Sequence, residues 1–404
     1  MPADLGAVET RSEREVDPAP LGVEPAAIEA IWGAVRRLYR TRTQPAISLA
    51  IRRRGELVLE RAIGHARPGE LVSPRTPFCT FSVSKAVTAV LMHLLDEQDR
   101  LRLDDPVTEY IPEFGRHGKD WVTLRHVLTH RAGIPAVTGR DTPNLDESLA
   151  LLTDPKGIIE ALCDEKPVFL PGRRLAYHAV TGGFILGEVV RRVTGRGIEE
   201  LLAEAVARPL GMEHLGYGVA AGRERVVAEN RFIGYDAPFP FSRVTRKALG
   251  MSLPEAAVAS NDPRWVTGVV PSGNVMATAD DLARFFQMLL AGGALGGHRV
   301  LEARTVRRLR VESAYLEPDL TLGLAVRYGQ GVMLGSYPLS LFGPNTPHAF
   351  GHYGLVTIVA WADPERDLAA ALLTSGKGIV PHQLPAFFGV LGAISRAIPK
   401  VRAL

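Results

Sequence analysis

Phe81-Ser82-Val83-Ser84-Lys85-Ala86-Val87 is the stretch around which the rest of the chain is organised. It opens an apolar run that continues to Leu95 and predicts a buried helix. Residues three apart share one face of a helix, so Ser82 and Lys85 are expected side by side near its N-terminus, where unpaired N–H groups favour negative charge. A partly desolvated lysine can be the base that activates a serine nucleophile. A helix-capping serine beside a solvent-reaching lysine is the competing interpretation, and the short motif alone favours it slightly.

The composition is that of an ordinary globular protein. The 404 residues are 46% hydrophobic and 23% charged, enough to bury one large core or two lobes. No apolar run reaches the roughly 18–20 residues of a membrane span, and the polar start resembles no secretory signal. The net charge of +3 and the short arginine runs predict no nucleic-acid partner. The two cysteines, Cys79 and Cys163, form no disulfide framework, which favours a cytoplasmic protein.

Strand patterns lie at both ends of the chain, and helical patterns fill the middle. Apolar runs on either side of Arg54-Gly55 predict one hairpin, and two more runs flank a predicted turn at 363–366. Helical spacing is found over 25–40, over most of 145–215 and over 385–398. This order favours one antiparallel sheet that is covered by the first and last helices, with a helical lobe beside it.

These patterns divide the chain into three predicted parts. Residues 1–23 are polar and predict a mobile lead-in. Residues 24–110 and 270–404 are assigned to an α/β lobe, and residues 111–269 to a helical lobe. Within the helical lobe, the irregular segment at about 214–270 is expected to cover a site in the cleft between the lobes.

Two later stretches carry groups that could join Ser82. Tyr177 follows a Pro-Gly turn and precedes a buried helix, so its hydroxyl can face a cleft. Beside a cationic amine its pKa is expected to fall below about 10, which suits a proton shuttle. The segment from Phe350 to Leu355 enters an apolar strand, and its glycines allow close backbone approach, so a strand N–H could help the Ser82 N–H bind an oxyanion. A packed tyrosine and a plain strand-entry turn are the commoner structural interpretations.

Other chemistries have weaker support in the sequence. There is no Gly-x-Ser-x-Gly nucleophile elbow, no phosphate-binding loop and no dinucleotide fingerprint. The pairs His126/His130 and His348/His352 have zinc-like spacing but lack the glutamate of His-Glu-x-x-His. We therefore expect no metal and no cofactor, with the histidines in capping or buried hydrogen-bonding roles.

Three short motifs then resemble a known family, the serine β-lactamase-related hydrolases. Ser82-Val83-Ser84-Lys85 resembles the family's Ser-x-x-Lys, Tyr177-His178-Ala179 its Tyr-x-Asn, and His352-Tyr353-Gly354 its Lys-Thr-Gly. Val127-Leu128-Thr129-His130-Arg131-Ala132-Gly133 and Arg208-Pro209-Leu210-Gly211-Met212 also look like family segments. The resemblance covers nearly the whole chain after about residue 24 and is greatest to the family VIII carboxylesterases. It moves the interpretation of Ser82 from helix cap to nucleophile.

The resemblance implies a fold and a set of roles. The fold would be β-lactamase/transpeptidase-like, an α/β lobe with an antiparallel sheet plus an all-α lobe. Ser82 would be the acylated nucleophile, and Lys85 and Tyr177 would share the base and acid work, without a decision between them. The backbone N–H groups of Ser82 and Leu355 would form the oxyanion hole.

Two departures from the family motifs predict the substrate class. His352, mostly neutral near pH 7, stands where the family's lysine holds a substrate carboxylate, and Ala179 has no amide in place of the asparagine. Both changes weaken recognition of an anionic β-lactam or peptide. A carboxylic ester with a short or apolar acyl group is therefore the expected substrate, with His352, Tyr353 and Gly354 as its binding residues.

Three alternatives stay open at this level. The acyl group on Ser82 could pass to an alcohol or amine instead of water, or the substrate could be a β-lactam or a D-amino-acid peptide. A ligand-binding or scaffold protein that lost turnover is the alternative from another class. Phe239, Phe241 and Trp265 are candidates for an apolar substrate pocket, although core packing accounts for each equally well.

Overall fold

The computed structural model describes residues 5–137, 145–236, 242, 246 and 249–401. Its strands are β1 (Glu9–Arg11), β2 (Ala46–Arg53), β3 (Glu56–Arg67), β4 (Glu70–Leu71), β5 (Phe78–Cys79), β6 (Gly216–Tyr217), β7 (Val275–Ala277), β8 (Ala294–Leu295), β9 (His298–Arg299), β10 (Ala314–Pro318), β11 (Ala325–Tyr328), β12 (Met333–Leu334), β13 (Phe350–Tyr353), β14 (Val359–Asp363) and β15 (Leu368–Thr374). Its α-helices are α1 (Pro25–Arg40), α2 (Ser84–Glu97), α3 (Leu124–Leu128), α4 (Leu145–Leu152), α5 (Pro155–Asp164), α6 (Thr181–Thr194), α7 (Ile198–Leu202), α8 (Leu253–Ala259), α9 (Pro263–Thr267), α10 (Ala279–Leu290), α11 (Ala303–Leu309) and α12 (Gln383–Ala397).

The main sheet joins the two ends of the chain. Within the described residues its order is β1-β3-β2-β15-β14-β13-β12-β11-β10, with β4 attached to β3, and its pairs are antiparallel. The predicted hairpin around Arg54-Gly55 is the β2–β3 pair, and the predicted turn at 363–366 joins β14 to β15. Because β15 pairs with β2 over Ile47–Arg53, strands from opposite ends of the chain are direct neighbours. This arrangement confirms the predicted fold class.

Helices cover both faces of the main sheet. β2 and β15 are buried along their whole lengths, so neither face can be left in water. α1 and α12 pack together on one face, as predicted for the first and last helices. α10 packs on the other face against β2, β14 and β15, and it begins at a capping box of Thr278 and Asp281. No described helix combines the length and the apolar character that crossing a bilayer requires.

Residues 5–23 pack against the sheet, which corrects the prediction of a mobile lead-in over 1–23. β1 is an edge strand that pairs with the end of β3. The Glu9 carboxylate accepts hydrogen bonds from Arg36 at 2.7 Å, and the buried Glu15 carboxylate lies 2.8 Å from Arg61. Acidic residues that resemble a solvated tail in the sequence therefore neutralise arginines of the folded core, where an unpaired charge is costly.

The segment at 214–270 is more regular than the sequence predicts. It contains β6, a 3-10 turn at Glu224–Val226, α8 and α9. β6 pairs with β7, and β7 also pairs with β5, the short strand that immediately precedes the Ser82 stretch. The start of this segment is thus tied to the element that carries Ser82. Phe239 and Phe241 lie outside the described residues.

Candidate active site

Ser82 lies in a tight turn immediately before α2. Phe81–Val83 form one turn of 3-10 helix, and Phe81 has a positive φ of 48°, a conformation that a bulky side chain rarely adopts. The buried hydroxyl of Ser84 holds this turn, because it accepts a hydrogen bond from the Val275 N–H at 2.9 Å and donates to the Phe81 carbonyl. The cap residue of α2 is Val83, and no side chain caps it, so Ser82 is not a helix cap. Its side chain is half-buried and stays within reach of a substrate.

Lys85 brings its amine to the Ser82 hydroxyl inside the protein. The Lys85 Nζ lies 3.0 Å from Ser82 Oγ, and it donates to the carbonyl oxygens of Ala179 at 2.6 Å and Ser272 at 3.1 Å. Burial lowers the pKa of Lys85 well below its usual 10.5, because the charged form loses its hydration. The two carbonyls orient the amine, and the lowered pKa favours the neutral form that can accept a proton.

Tyr177 completes the triad, but its pKa moves opposite to the prediction. Its hydroxyl is hydrogen-bonded to Ser82, and the Lys85 Nζ lies 4.8 Å from the centre of its ring. Burial raises the pKa of Tyr177 above 10, and the nearby Asp319 carboxylate raises it further. The expected lowering assumed a dominant effect of the Lys85 charge, whereas burial of the phenol is the largest cause of the shift. Tyr177 therefore stays a protonated phenol.

The third predicted motif is divided between two faces of β13. His352 is buried on the face of the Ser82 site, with its ring 6.4 Å from that of Tyr177. Its Nδ1 lies 2.7 Å from the Tyr353 carbonyl, and burial lowers its pKa to about 3, so the ring is neutral. The Tyr353 side chain instead packs against Phe342 and Phe387 and donates its hydroxyl proton to the Leu341 carbonyl. The structure does not bring the Tyr353 ring to Ser82.

Gly354 allows β13 to approach the turn that carries Ser82. A Cβ atom at this position would lie 2.5 Å from the Thr80 carbonyl oxygen and 2.8 Å from Ile358 Cβ, closer than real Cβ contacts. The Gly354 N–H bonds to the Ile358 carbonyl at 2.8 Å, whereas the Leu355 N–H has no backbone acceptor among the described residues. The half-buried Leu355 N–H is therefore available beside the nucleophile turn, as an oxyanion donor must be.

The histidine pairs are used for structure. His126 forms a capping box with Thr123 at the start of α3, and the Nδ1 of His130 accepts the His178 backbone N–H at 3.2 Å. Within the part of the chain that the structure describes, no group of three or more His, Cys, Asp or Glu side chains could hold a metal ion. These contacts agree with the predicted capping and hydrogen-bonding roles.

One cavity lies at the candidate site, and a second lies in the helical lobe. One, of about 20 Å³, lies behind the amine of Lys85 and is lined by His130, His178, Tyr328 and His352. The other, of about 80 Å³, lies in the helical lobe and is mostly apolar. Its lining includes Val180, which follows Ala179 in the chain, together with Ala136, Val137, Leu151, Leu152, Leu249 and Met251. Trp265, a candidate pocket residue, is buried in the core and does not line this cavity.

Sequence reasoning missed the groups that hold the triad in place. The carbonyl of Ser272 binds Lys85, while the Ser272 hydroxyl accepts the Gly183 N–H at 2.9 Å. The carboxylate of Asp319 accepts the Tyr177 N–H at 3.0 Å. Neither residue lies in a recognisable motif, because each acts across more than 100 residues of chain. A buried carboxylate could have been suspected only from the structure.

Comparison with known proteins assigns the chain to a family. A model described as Beta-lactamase matches residues 35–388, and the chain belongs to that family. It is 29% identical over 335 residues to the esterase/beta-lactamase LipL of Mycobacterium tuberculosis, covering 80% of this chain and 75% of that protein. A penicillin-binding protein homologue from Caulobacter crescentus superposes with a TM-score of 0.81 at 28% identity, covering 93% of this chain and 99% of that one. A family VIII carboxylesterase superposes with a TM-score of 0.79 at 27% identity, covering 93% and 98%. Fold and relatives define a serine hydrolase of this superfamily.

Proposed function

We propose that this protein hydrolyses carboxylic esters through an acyl-enzyme on Ser82. The observation that carries the proposal is the buried amine of Lys85, its pKa lowered by burial, at 3.0 Å from the Ser82 hydroxyl. The amine takes the Ser82 proton as Oγ attacks the ester carbonyl, and the N–H groups of Ser82 and Leu355 bind the resulting oxyanion. Collapse of the tetrahedral intermediate breaks the bond to the alcohol. The alcohol leaves with a proton from the phenol of Tyr177, and the Lys85 ammonium then gives its proton to Tyr177.

Deacylation follows the same groups with water in place of the alcohol. Lys85 is neutral again and accepts a proton from the water as it attacks the acyl carbon. The bond to Ser82 Oγ then breaks, and the serine recovers its proton. This sequence assigns the base work to Lys85 and the proton transfer to Tyr177, because the raised pKa of Tyr177 keeps it protonated.

An ester fits this site better than an anionic β-lactam or peptide. His352 carries no charge, and its Nδ1 is engaged by the Tyr353 carbonyl, so it offers no cation to a substrate carboxylate. The Ala179 carbonyl accepts a hydrogen bond from Lys85. The side chain of Ala179 is only a methyl group, so it offers no amide to a substrate. The mostly apolar cavity of the helical lobe, whose lining includes Val180, suits an uncharged acyl or alcohol group.

A panel of p-nitrophenyl esters from acetate to octanoate tests the proposal, with Ser82→Ala as the blank. We expect turnover that is abolished in the variant and a preference for short chains. Nitrocefin turned over faster than every ester would establish a β-lactamase instead. Formation of the butyl ester in place of the free acid, when butanol is added, would identify an acyltransferase. Absence of turnover, together with no labelling of Ser82 by a fluorophosphonate probe, would favour the non-catalytic alternative. The cytoplasmic location stays a prediction that rests on the cysteine content, and cell fractionation tests this prediction.

A further inference from the structure

The segment that carries Tyr177 is held by side chains instead of by secondary structure. Residues 175–178 lie outside every helix and strand, yet each backbone N–H has an acceptor. Leu175 N–H bonds to Glu317 Oε1 at 3.2 Å, and Ala176 N–H to the His130 carbonyl at 3.0 Å. Tyr177 N–H bonds to Asp319 Oδ1 at 3.0 Å, and His178 N–H to His130 Nδ1 at 3.2 Å. Two residues, His130 and Asp319, therefore hold Tyr177 itself and both of its neighbours.

His130 contacts the segment through both its backbone carbonyl and its ring. It has a φ of 59°, a left-handed conformation that costs energy for a non-glycine residue and directs its carbonyl and ring to the same segment. Its ring centre lies 4.6 Å from that of Tyr177 and 5.2 Å from that of Tyr328. Because Nδ1 accepts a hydrogen bond, the ring must be unprotonated there, which agrees with a pKa lowered by burial and by the neighbouring Lys85, His178 and His352.

Asp319 is a buried carboxylate in the connection between β10 and β11. Its Oδ1 also accepts hydrogen bonds from the N–H groups of Thr321 at 2.8 Å and Leu322 at 3.0 Å. These local bonds fix the carboxylate independently of Tyr177. Its negative charge raises the pKa of Tyr177 and of the adjacent Tyr328. Lys85, His130 and His352 also lie near the phenol, at 4.8, 4.6 and 6.4 Å from the centre of the Tyr177 ring.

We propose that His130 and Asp319 are positioning residues that fix the Tyr177 hydroxyl on Ser82. This inference rests on the proposed function of Tyr177 in proton transfer. Neither residue contacts the reacting atoms, and both act through the backbone of 176–178. Asp319 contributes a second effect, because its charge opposes ionisation of the phenol.

The test measures how fast a fluorophosphonate probe labels Ser82, together with kcat and KM for p-nitrophenyl acetate. Asp319→Ala removes the acceptor, and we expect labelling and kcat to fall 10- to 100-fold while KM changes less than threefold. Asp319→Asn keeps an oxygen for the Tyr177 N–H but removes the charge. It should retain most of kcat, and this rescue by the conservative variant would show that the hydrogen bond to the Tyr177 N–H matters, which a merely structural role of the carboxylate would not give.

His130 is tested by a matched pair of substitutions. His130→Asn retains an acceptor near the position of Nδ1 and tolerates a positive φ, so it should stay within threefold of the parent. His130→Leu removes the acceptor and should slow labelling at least tenfold. Glu312→Gln is the control, since the exposed Glu312 precedes the same hairpin and its carboxylate accepts hydrogen bonds from Arg327. Thermal melting identifies any variant that fails to fold.

The outcomes separate this inference from the proposed function. Parent-like labelling and kcat in folded Asp319→Ala and His130→Leu would overturn the positioning roles while leaving the hydrolase intact. Labelling that depends on His130 and Asp319 without ester turnover would support the positioning roles and refute the esterase proposal. No labelling of the parent protein would overturn both.

Discussion

The amine of Lys85 and the hydroxyl of Ser82 lie 3.0 Å apart, in a pocket where burial lowers the pKa of the amine. Two carbonyl oxygens, of Ala179 and Ser272, fix the amine from different parts of the chain. The geometry supplies a base that needs no metal ligand and no histidine. It also makes the chemistry depend on the protonation of one group.

Removal of this amine should abolish catalysis without unfolding the protein. We expect Lys85→Met to lower kcat/KM for p-nitrophenyl acetate by about 10³-fold, within the range for loss of a general base. Lys119→Met is the matched control, because Lys119 is another buried lysine whose Nζ donates to the Cys163 carbonyl at 2.7 Å, in the helical lobe. Its loss should lower the melting temperature and leave kcat/KM within threefold. Equal activity losses in the two variants would indicate a structural role for Lys85.

The rate should depend on pH through Lys85 and not through a histidine. The amine accepts a proton only when neutral, so kcat/KM should rise with pH through the lowered pKa of Lys85 and reach a plateau. His178 and His352 have pKa values of about 3 and stay neutral between pH 5 and 9, so they add no limb there. An acid limb that disappears in His352→Gln would contradict this assignment.

Gly354 should be sensitive to a single methyl group. In Gly354→Ala the new Cβ meets the Thr80 carbonyl at 2.5 Å, so β13 must move away from the Ser82 turn. We expect kcat to fall about 10²-fold, the effect of losing one oxyanion donor, with a small change in KM. Gly389→Ala on α12 is the control, because a Cβ there has no neighbour within 4 Å. The prediction fails if both variants keep parent kcat on the ester panel.

Lys377 should give the protein a measurable dependence of stability on pH. This lysine is fully buried, donates to the Thr374 carbonyl at 2.6 Å, and has its pKa lowered by burial to about 7. Between pH 7 and 10.5 the unfolded chain binds the proton that the folded chain has lost, so the unfolding free energy rises with pH. The slope expected for one group is about 1.4 kcal/mol per pH unit.

Urea titrations at several pH values measure this slope in the parent and in Lys377→Met. The unfolding free energy of the parent minus that of Lys377→Met should increase as the pH rises from 7 to 10. Lys166→Met replaces an exposed lysine and is the control, because its difference in unfolding free energy from the parent should not change with pH. A constant difference for Lys377→Met as well would mean that the folded lysine keeps its charge.

The N-terminal segment should contribute to stability. Glu15→Gln leaves the buried guanidinium of Arg61 with the exposed Glu29 as its one carboxylate partner among the described residues, which should cost about 3 kcal/mol. Glu13→Gln, two residues away on the surface, should change the unfolding free energy by less than about 0.5 kcal/mol. Chemical denaturation compares the two variants, and equal values would restore the interpretation of a mobile lead-in.

The local pattern was enough to predict the elements that depend on neighbours in sequence. The β2–β3 hairpin, the apolar helix after Ser82 and the capped α10 all follow from periodicity and turn chemistry. The resemblance of three short motifs then predicted the triad, and the structure brings Ser82, Lys85 and Tyr177 together.

What the sequence could not predict depends on contacts between distant residues. The raised pKa of Tyr177 follows from burial and from the carboxylate of the distant Asp319, which no local motif encodes. β10 carries exposed apolar residues without a clear alternation and β11 is only four residues long, so the hairpin that positions Asp319 was missed. The strand β1 was interpreted as tail because its partners lie about 50 residues away.

The acyl-enzyme on Ser82 is the central claim, and intact-protein mass spectrometry tests it most directly. Protein mixed with excess p-nitrophenyl butyrate and quenched in acid within milliseconds should gain the mass of one butyryl group, located on the peptide that contains Ser82. Ser82→Ala should gain none and release no p-nitrophenol above the blank. Steady-state ester hydrolysis by Ser82→Ala at the parent rate, or an adduct on another residue of the parent, would contradict the account.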